Sequence, residues 1–184
     1  MLFALLFGLA ATGNPTVTNP GFEERAERSG AMLGWSFTSL PNEPRLVRYR
    51  TKAVVSDGQE TNALFITVAA DHPSKNVAYN AHQDVQGVVA GKTYRVSAKV
   101  QTQGLSTLPM IVVQCLDATG GKYLAFARSP ERRLSSDVRK WERVETEVTV
   151  PQGTAAFRLR IGIPAEGNAG GTAMIDDVEI VEIK

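Results

Sequence analysis

From residue 45 onward the chain alternates apolar and polar side chains with period two, and no window carries an apolar stripe at helical spacing over three turns. Residues two apart on an extended strand share a face, so each such strand buries one side and wets the other. Tyr94, Val96, Ala98 and Val100 stand opposite Thr93, Arg95, Ser97, Lys99 and Gln101. Phe157, Leu159, Ile161 and Ile163 stand opposite Arg158 and Arg160, and Val144, Val148 and Val150 opposite Arg143, Glu145 and Glu147. Strands wet on one side belong to antiparallel sheets, because strands of parallel sheets are apolar on both faces.

The pattern predicts strands over 45–50, 62–68, 76–89, 92–103, 109–117, 122–128, 141–151, 155–163 and 172–183. Turn chemistry separates them at Asp57-Gly58, Ala90-Gly91-Lys92, Ala118-Thr119-Gly120-Gly121, Pro151-Gln152-Gly153 and Asn168-Ala169-Gly170-Gly171. A turn about every dozen residues suits an all-β fold of two packed antiparallel sheets. Residues 23–32, EERAERSGAM, lack both a cap and an apolar face, and support at most a helical turn.

Charge and cysteine usage exclude several functions. Lys plus Arg number 20 against 19 Asp plus Glu, so no single-sign field gathers phosphates, and nucleic acid is not an expected partner. The local excess RSPERR at 128–133 is broken by Pro130 and Glu131 and reads as a solvated loop. Cys115 is the single cysteine, and with only His72 and His82 to assist it a structural zinc site is not expected. Its apolar surroundings, MIVVQCLD, predict an inert buried thiol. The leader LFALLFGLAA is shorter than the ~20 residues of a membrane span. With Ala11-Thr12-Gly13 after it, residues 1–13 read as a signal peptide lacking a basic start, or else as a buried first strand. On the first reading residues 14–184 form one secreted, periplasmic or cell-surface domain, expected to be a monomer.

Three separated pieces carry a resemblance: NPGFE followed by GW, at 19–35; VVAGKTYRVSAKV, at 88–100; and WERVETEVTVPQGTAAFRLRI followed by AMIDDVEIVE, at 141–182. In order and spacing they resemble the carbohydrate-binding modules attached to cellulases and xylanases, which are galactose-binding-like jelly rolls. The resemblance runs from about Thr16 to Ile183. It implies a structural Ca²⁺ held by Glu23 and Asp176 with backbone carbonyls, and so a first strand and metal-binding turn within 16–35 tied to the last strand. Calcium takes about six to eight hard oxygens in flexible geometry, which carboxylates and turn carbonyls can supply. The neighbours Glu24 and Asp177 would be chosen by a one-residue error, and the alternative reading makes Glu23 and Asp176 plain surface carboxylates at strand ends. Since strand direction alternates, only one of Asp176 and Asp177 faces Glu23.

The resemblance places Trp35 and Trp141 in the framework, where an indole can cover a sandwich end with its N–H on a carbonyl. Saccharide recognition would then fall to a wet sheet face. Asn80, His82, Gln114 and Arg158 form a polar set for sugar hydroxyls, and Tyr49 and Tyr123 are candidates for stacking on pyranose rings. The alternative is a structural or protein-interaction sandwich of the same fold that binds no sugar, which the scarcity of surface aromatics favours. A hydrolase is a third and weaker reading. Glu145 and Glu147 share a strand face at roughly the ~5 Å separation of a retaining glycosidase, but the arginine beside them predicts ion pairs. No GxSxG, HExxH or phosphate loop is present, and a Cys115–His82 dyad lacks an orienting partner, so a non-enzyme is expected.

Overall fold

The computed structural model describes residues 14–40, 43–73, 78–163 and 167–183; the expected leader, 1–13, lies outside the described residues. Its strands are β1 (Ser36–Leu40), β2 (Val47–Ser56), β3 (Gln59–Val68), β4 (Ala78–Val85), β5 (Thr93–Gln103), β6 (Met110–Leu116), β7 (Tyr123–Arg128), β8 (Glu142–Thr149), β9 (Ala156–Ile163) and β10 (Thr172–Ile183). They form two five-stranded sheets, β1-β4-β9-β6-β7 and β2-β3-β10-β5-β8, and every pairing is antiparallel. Only the β2–β3 and β6–β7 hairpins stay within a sheet; every other connection crosses, which makes the sandwich a jelly roll.

The inward faces follow the alternation. Tyr94, Val96, Ala98 and Val100 are buried on β5, and Phe157, Leu159 and Ile161 on β9. Tyr94 meets Phe157 edge-on across the core, with ring centroids 6.3 Å apart, and its hydroxyl accepts the Val89 N–H at 3.0 Å. Nine of the ten strands match the sequence pattern; β1, Ser-Phe-Thr-Ser-Leu, is the tenth. It is too short and polar to show a period. As an edge strand it pairs only with β4.

The opening segment is not the strand expected of it. Thr16 makes an isolated bridge to Gln86, and the chain then turns. Asn19 and Phe22 take left-handed backbone angles, φ 51° and 59°. The Asn19 side chain organises the turn: its Nδ2 donates to the carbonyls of Glu24 and Leu33 at 2.9 and 3.2 Å, and its Oδ1 accepts the Glu24 N–H at 3.0 Å. Phe22 and Trp35, both buried, pack with ring centroids 5.0 Å apart, and the Trp35 indole N–H donates to the Asn19 carbonyl at 3.0 Å.

This turn occupies a seam in the second sheet. β10 pairs with β3 only from Thr172 opposite Thr67 to Ile175 opposite Leu64, and its pairing with β5 is then bulged between Asp176 and Glu179. Beyond that point the turn supplies partners to both strands. Pro20 offers its carbonyl to the Val178 N–H at 3.0 Å, and Glu23 its carboxylate to the Asn62 N–H at 2.7 Å.

At the opposite end the β10 approach is set by Gly171, where an added Cβ would lie 2.3 Å from Leu105 Cδ2 and 2.8 Å from the Gly104 carbonyl oxygen. Gly171→Ala is expected to lower stability by about 1–3 kcal/mol, read from the denaturant midpoint. Gly121→Ala, whose Cβ would have its nearest neighbour at 3.6 Å, serves as the control and is expected to be near neutral.

Candidate functional site

The outward face of the β1-β4-β9-β6-β7 sheet gathers polar residues from distant parts of the chain. Strand register sets His82 beside Arg160, Asp84 beside Arg158, and Arg158 beside Gln114. On the far side of Gln114 stands Phe126, and Arg128 stands beside Val112. Four of the residues expected to recognise sugar, Asn80, His82, Gln114 and Arg158, therefore share three adjacent strands. Tyr123 begins the next strand, more than half exposed, with Phe126 at 6.3 Å in an edge-on arrangement.

These groups hold one another in place. Arg158 clamps Asp84 through Nε at 2.7 Å and Nη2 at 2.9 Å, a two-pronged pair that pulls the Asp84 carboxyl below its ordinary range. Arg160 donates through Nε to Gln114 Oε1 at 2.9 Å and through Nη1 to Asn80 Oδ1 at 3.3 Å. The Thr38 hydroxyl lies 3.4 Å from His82 Nδ1. Burial, with the charges of Arg160 and Arg158, holds the His82 pKa below its usual 6.5, so its imidazole is neutral at pH 7 and offers a donor and an acceptor.

Tyr49 does not join this face. It lies on β2 in the other sheet, where its hydroxyl donates to the Thr38 carbonyl at 2.7 Å and its ring packs on Phe37 at 4.5 Å. Alternation gives at most a side of a strand, and nothing local in the sequence says which sheet the strand enters. Arg160, Asp84 and Phe126 complete the face without standing in the expected set; for the two on β9 and β4, a shared parity with Arg158 and His82 was the available signal.

At the seam, the geometry separates the two aspartates. Asp177 is exposed at φ 47°, and its carboxylate sits 2.8 Å from Lys99 Nζ. Asp176 is fully buried. Its Oδ1 accepts the Asp177 N–H at 2.8 Å, and its Oδ2 has no hydrogen-bond partner among the described residues. A Cβ on Gly21 would lie 3.5 Å from Asp176 Oδ1 and 3.7 Å from Glu23 Cγ, so the glycine separates the two carboxylates. Burial, reinforced by the charges of Asp177 and Glu23, pushes the Asp176 carboxyl up to about 6. Glu23 goes the other way, lowered chiefly by the Asn62 backbone N–H. An orphaned buried oxygen beside a second carboxylate fits a hard divalent cation. No group of three or more His, Cys, Asp or Glu among the described residues could hold a metal, so backbone oxygens or water would fill most of the shell.

The residues considered for catalysis lie elsewhere. Glu147 and Glu145 are on the outward face of the other sheet, in ion pairs with Arg95 at 2.8 Å and Arg143 at 3.6 Å. Cys115 points into the core, its thiol raised by burial, whereas His82 faces outward. The two tryptophans both direct their N–H to carbonyls; that of Trp141 donates to Val55 at 3.2 Å.

No family model matches the chain, and no curated protein matches it by sequence. Solved structures do share its fold. The enzymatically active domain of tailspike protein 4 from bacteriophage CBA120 superposes at TM-score 0.64 with 15% identity, over 91% of this chain and 21% of that one. A candidate sugar-binding protein from Bacteroides thetaiotaomicron does so at 0.62 with 12% identity, over 92% of this chain and all of that one. A family 22 xylan-binding domain from Paenibacillus barcinonensis gives 0.53 with 16% identity, over 89% and 92%. The chain thus has the β-sandwich fold of carbohydrate-binding modules, and it spans about a fifth of the tailspike chain it resembles.

The raised Asp176 pKa sets a pH dependence in chelator-treated protein. A folded pKa of about 6 above an unfolded value near 3.8 means stability that is fully present below about pH 3.8 and is lost as pH rises through about 6. Asp176→Asn removes this loss. Its melting temperature relative to the parent chain is expected to climb between pH 4 and pH 7, by an amount equivalent to about 1–3 kcal/mol, in parallel thermal melts.

Proposed function

We propose that the chain is a non-catalytic carbohydrate-binding module whose saccharide lies across the outward face of the β1-β4-β9-β6-β7 sheet. The observation carrying this reading is the mutual hydrogen-bonding of Asn80, Gln114 and Arg160, and of Asp84 and Arg158, on adjacent strands. Side chains fixed in this way lose little rotamer freedom when a ligand arrives. Asn80, His82, Gln114 and Arg158 pair with sugar hydroxyls, and Tyr123 with Phe126 offers ring faces at one end. The xylan-binding neighbour of the same fold supports a polysaccharide ligand.

The only carboxylate among the described residues of that face, Asp84, is engaged by Arg158, which supports recognition without hydrolysis. Calcium completes the reading: Glu23 and Asp176 bind it at the seam, remote from sugar, and the ion supplies the charge that lets Asp176 stay ionised while buried.

A glycan array screened with and without chelator tests both parts. At least one oligo- or polysaccharide is expected to be retained, and His82→Ala or Tyr123→Ala is expected to weaken it roughly three- to tenfold by titration calorimetry. Retention of no glycan under either condition would leave the non-binding sandwich as the better account. Separately, calcium is expected to raise the melting temperature of the parent chain and not that of Asp176→Asn; an equal response in both would remove the metal assignment.

A further inference from the structure

Arg160 stands out because its guanidinium has no ion-pair partner among the described residues. It is half-buried between β4 and β6, and its neighbour Arg158 already absorbs both oxygens of Asp84. The partners Arg160 does have are neutral: the side-chain oxygens of Gln114 and Asn80. Burial and the charge of Arg158 both push its pKa below the ordinary arginine value, so the guanidinium sits where a cation is disfavoured. A half-buried guanidinium normally faces a carboxylate, whose planar pair of oxygens matches its fork of donors.

The surroundings are also short of acceptors. Gln114 and Asn80 turn their oxygens to Arg160, which leaves their NH₂ groups as the free ends. Arg160 itself keeps Nη2 unused among the described residues. Sugar hydroxyls both donate and accept, whereas the free groups immediately around Arg160 only donate. A carboxylate accepts only, and is suited to such a cluster. The wider charge agrees: among the described residues of the face, Arg128, Arg158 and Arg160 stand outward against Asp84 alone, with His82 held neutral. Two residues beyond Arg160 the outward position is Gly162, which has no side chain to stand between Asn80 and Met110.

We propose that the ligand of this face is a uronic acid-bearing saccharide, with its carboxylate received by Arg160 beside the amide donors of Asn80 and Gln114. The assignment rests on the reading of the face as saccharide-binding and adds the chemical class. Arg158, already paired, orients Asp84 as the acceptor for a neighbouring hydroxyl.

The test uses the full chain and a panel of hexuronate oligosaccharides, each paired with the same oligosaccharide after its carboxyls are reduced to primary alcohols, together with neutral glycans. Affinity is measured by calorimetry at pH 7. The uronate member of at least one pair is expected to bind about ten- to a hundredfold tighter than its reduced partner. Added salt is expected to narrow that preference. Arg160→Gln is expected to collapse it, and Arg160→Lys, which keeps the charge without the fork, to retain part of it. Reduced or neutral glycans binding as tightly as uronates would overturn the acidic assignment and leave the saccharide reading intact. A uronate preference that survives in Arg160→Gln would overturn the role of Arg160. Absence of binding by every member of the panel would overturn both readings together. The comparison within the parent chain decides the ligand class even if a variant fails to fold.

Discussion

The seam between β3 and β10 is the constraint around which the rest of the sandwich is arranged. Two central strands that stop pairing inside a sheet would leave N–H and C=O groups buried without partners, at about 1–3 kcal/mol each. The N-terminal turn meets that demand from both sides, through the Pro20 carbonyl and the Glu23 carboxylate. To reach it, Asn19 and Phe22 adopt left-handed angles, and the Asn19 side chain satisfies the backbone that those angles expose. Phe22 then enters the core against Trp35. The same closure buries Asp176, so a carboxylate with one orphaned oxygen is a consequence of filling the gap.

The polar face depends on this framework only indirectly, since it lies on the other sheet. Its organisation is a matter of register. Antiparallel pairing brings residues about 80 apart in sequence, such as Asn80 and Arg160, into hydrogen-bond range, and similarly Gln114 and Arg160. Each group is held by its neighbours before any ligand arrives. Donors fixed in this way lose little freedom on binding, and the guanidinium of Arg160 meets only neutral oxygens among the described residues.

Much of this was legible in the chain, for reasons that differ between elements. Strands such as β5 and β9 declare themselves through repeated alternation, and their inward residues, Tyr94 to Val100 and Phe157 to Ile161, are those the parity names. β1 was invisible because five residues with two hydroxyl side chains at one face carry no period. Tyr49 was set on the wrong surface because alternation reports a side of a strand and not the sheet it enters, and β2 lies in the sheet opposite β1. That Asp176 is buried and Asp177 exposed was likewise beyond the pattern. A bulge with a left-handed residue resets the alternation locally, and nothing in Ile-Asp-Asp-Val announces it.

By itself the sequence determined the class of fold, the strands with long alternation, the turns between them, and which side of the regularly alternating strands is wet. These are local properties: a period of two and the conformational preferences of glycine, proline and asparagine act within a few residues. Only the tertiary structure decided which wet sides lie next to one another, that Arg160 is held by two side-chain amides, and that Asp176 is buried near Glu23. Those facts depend on strand order, register and one bulge, which arise when the whole chain minimises its unpaired polar groups, and no short stretch of residues encodes them alone.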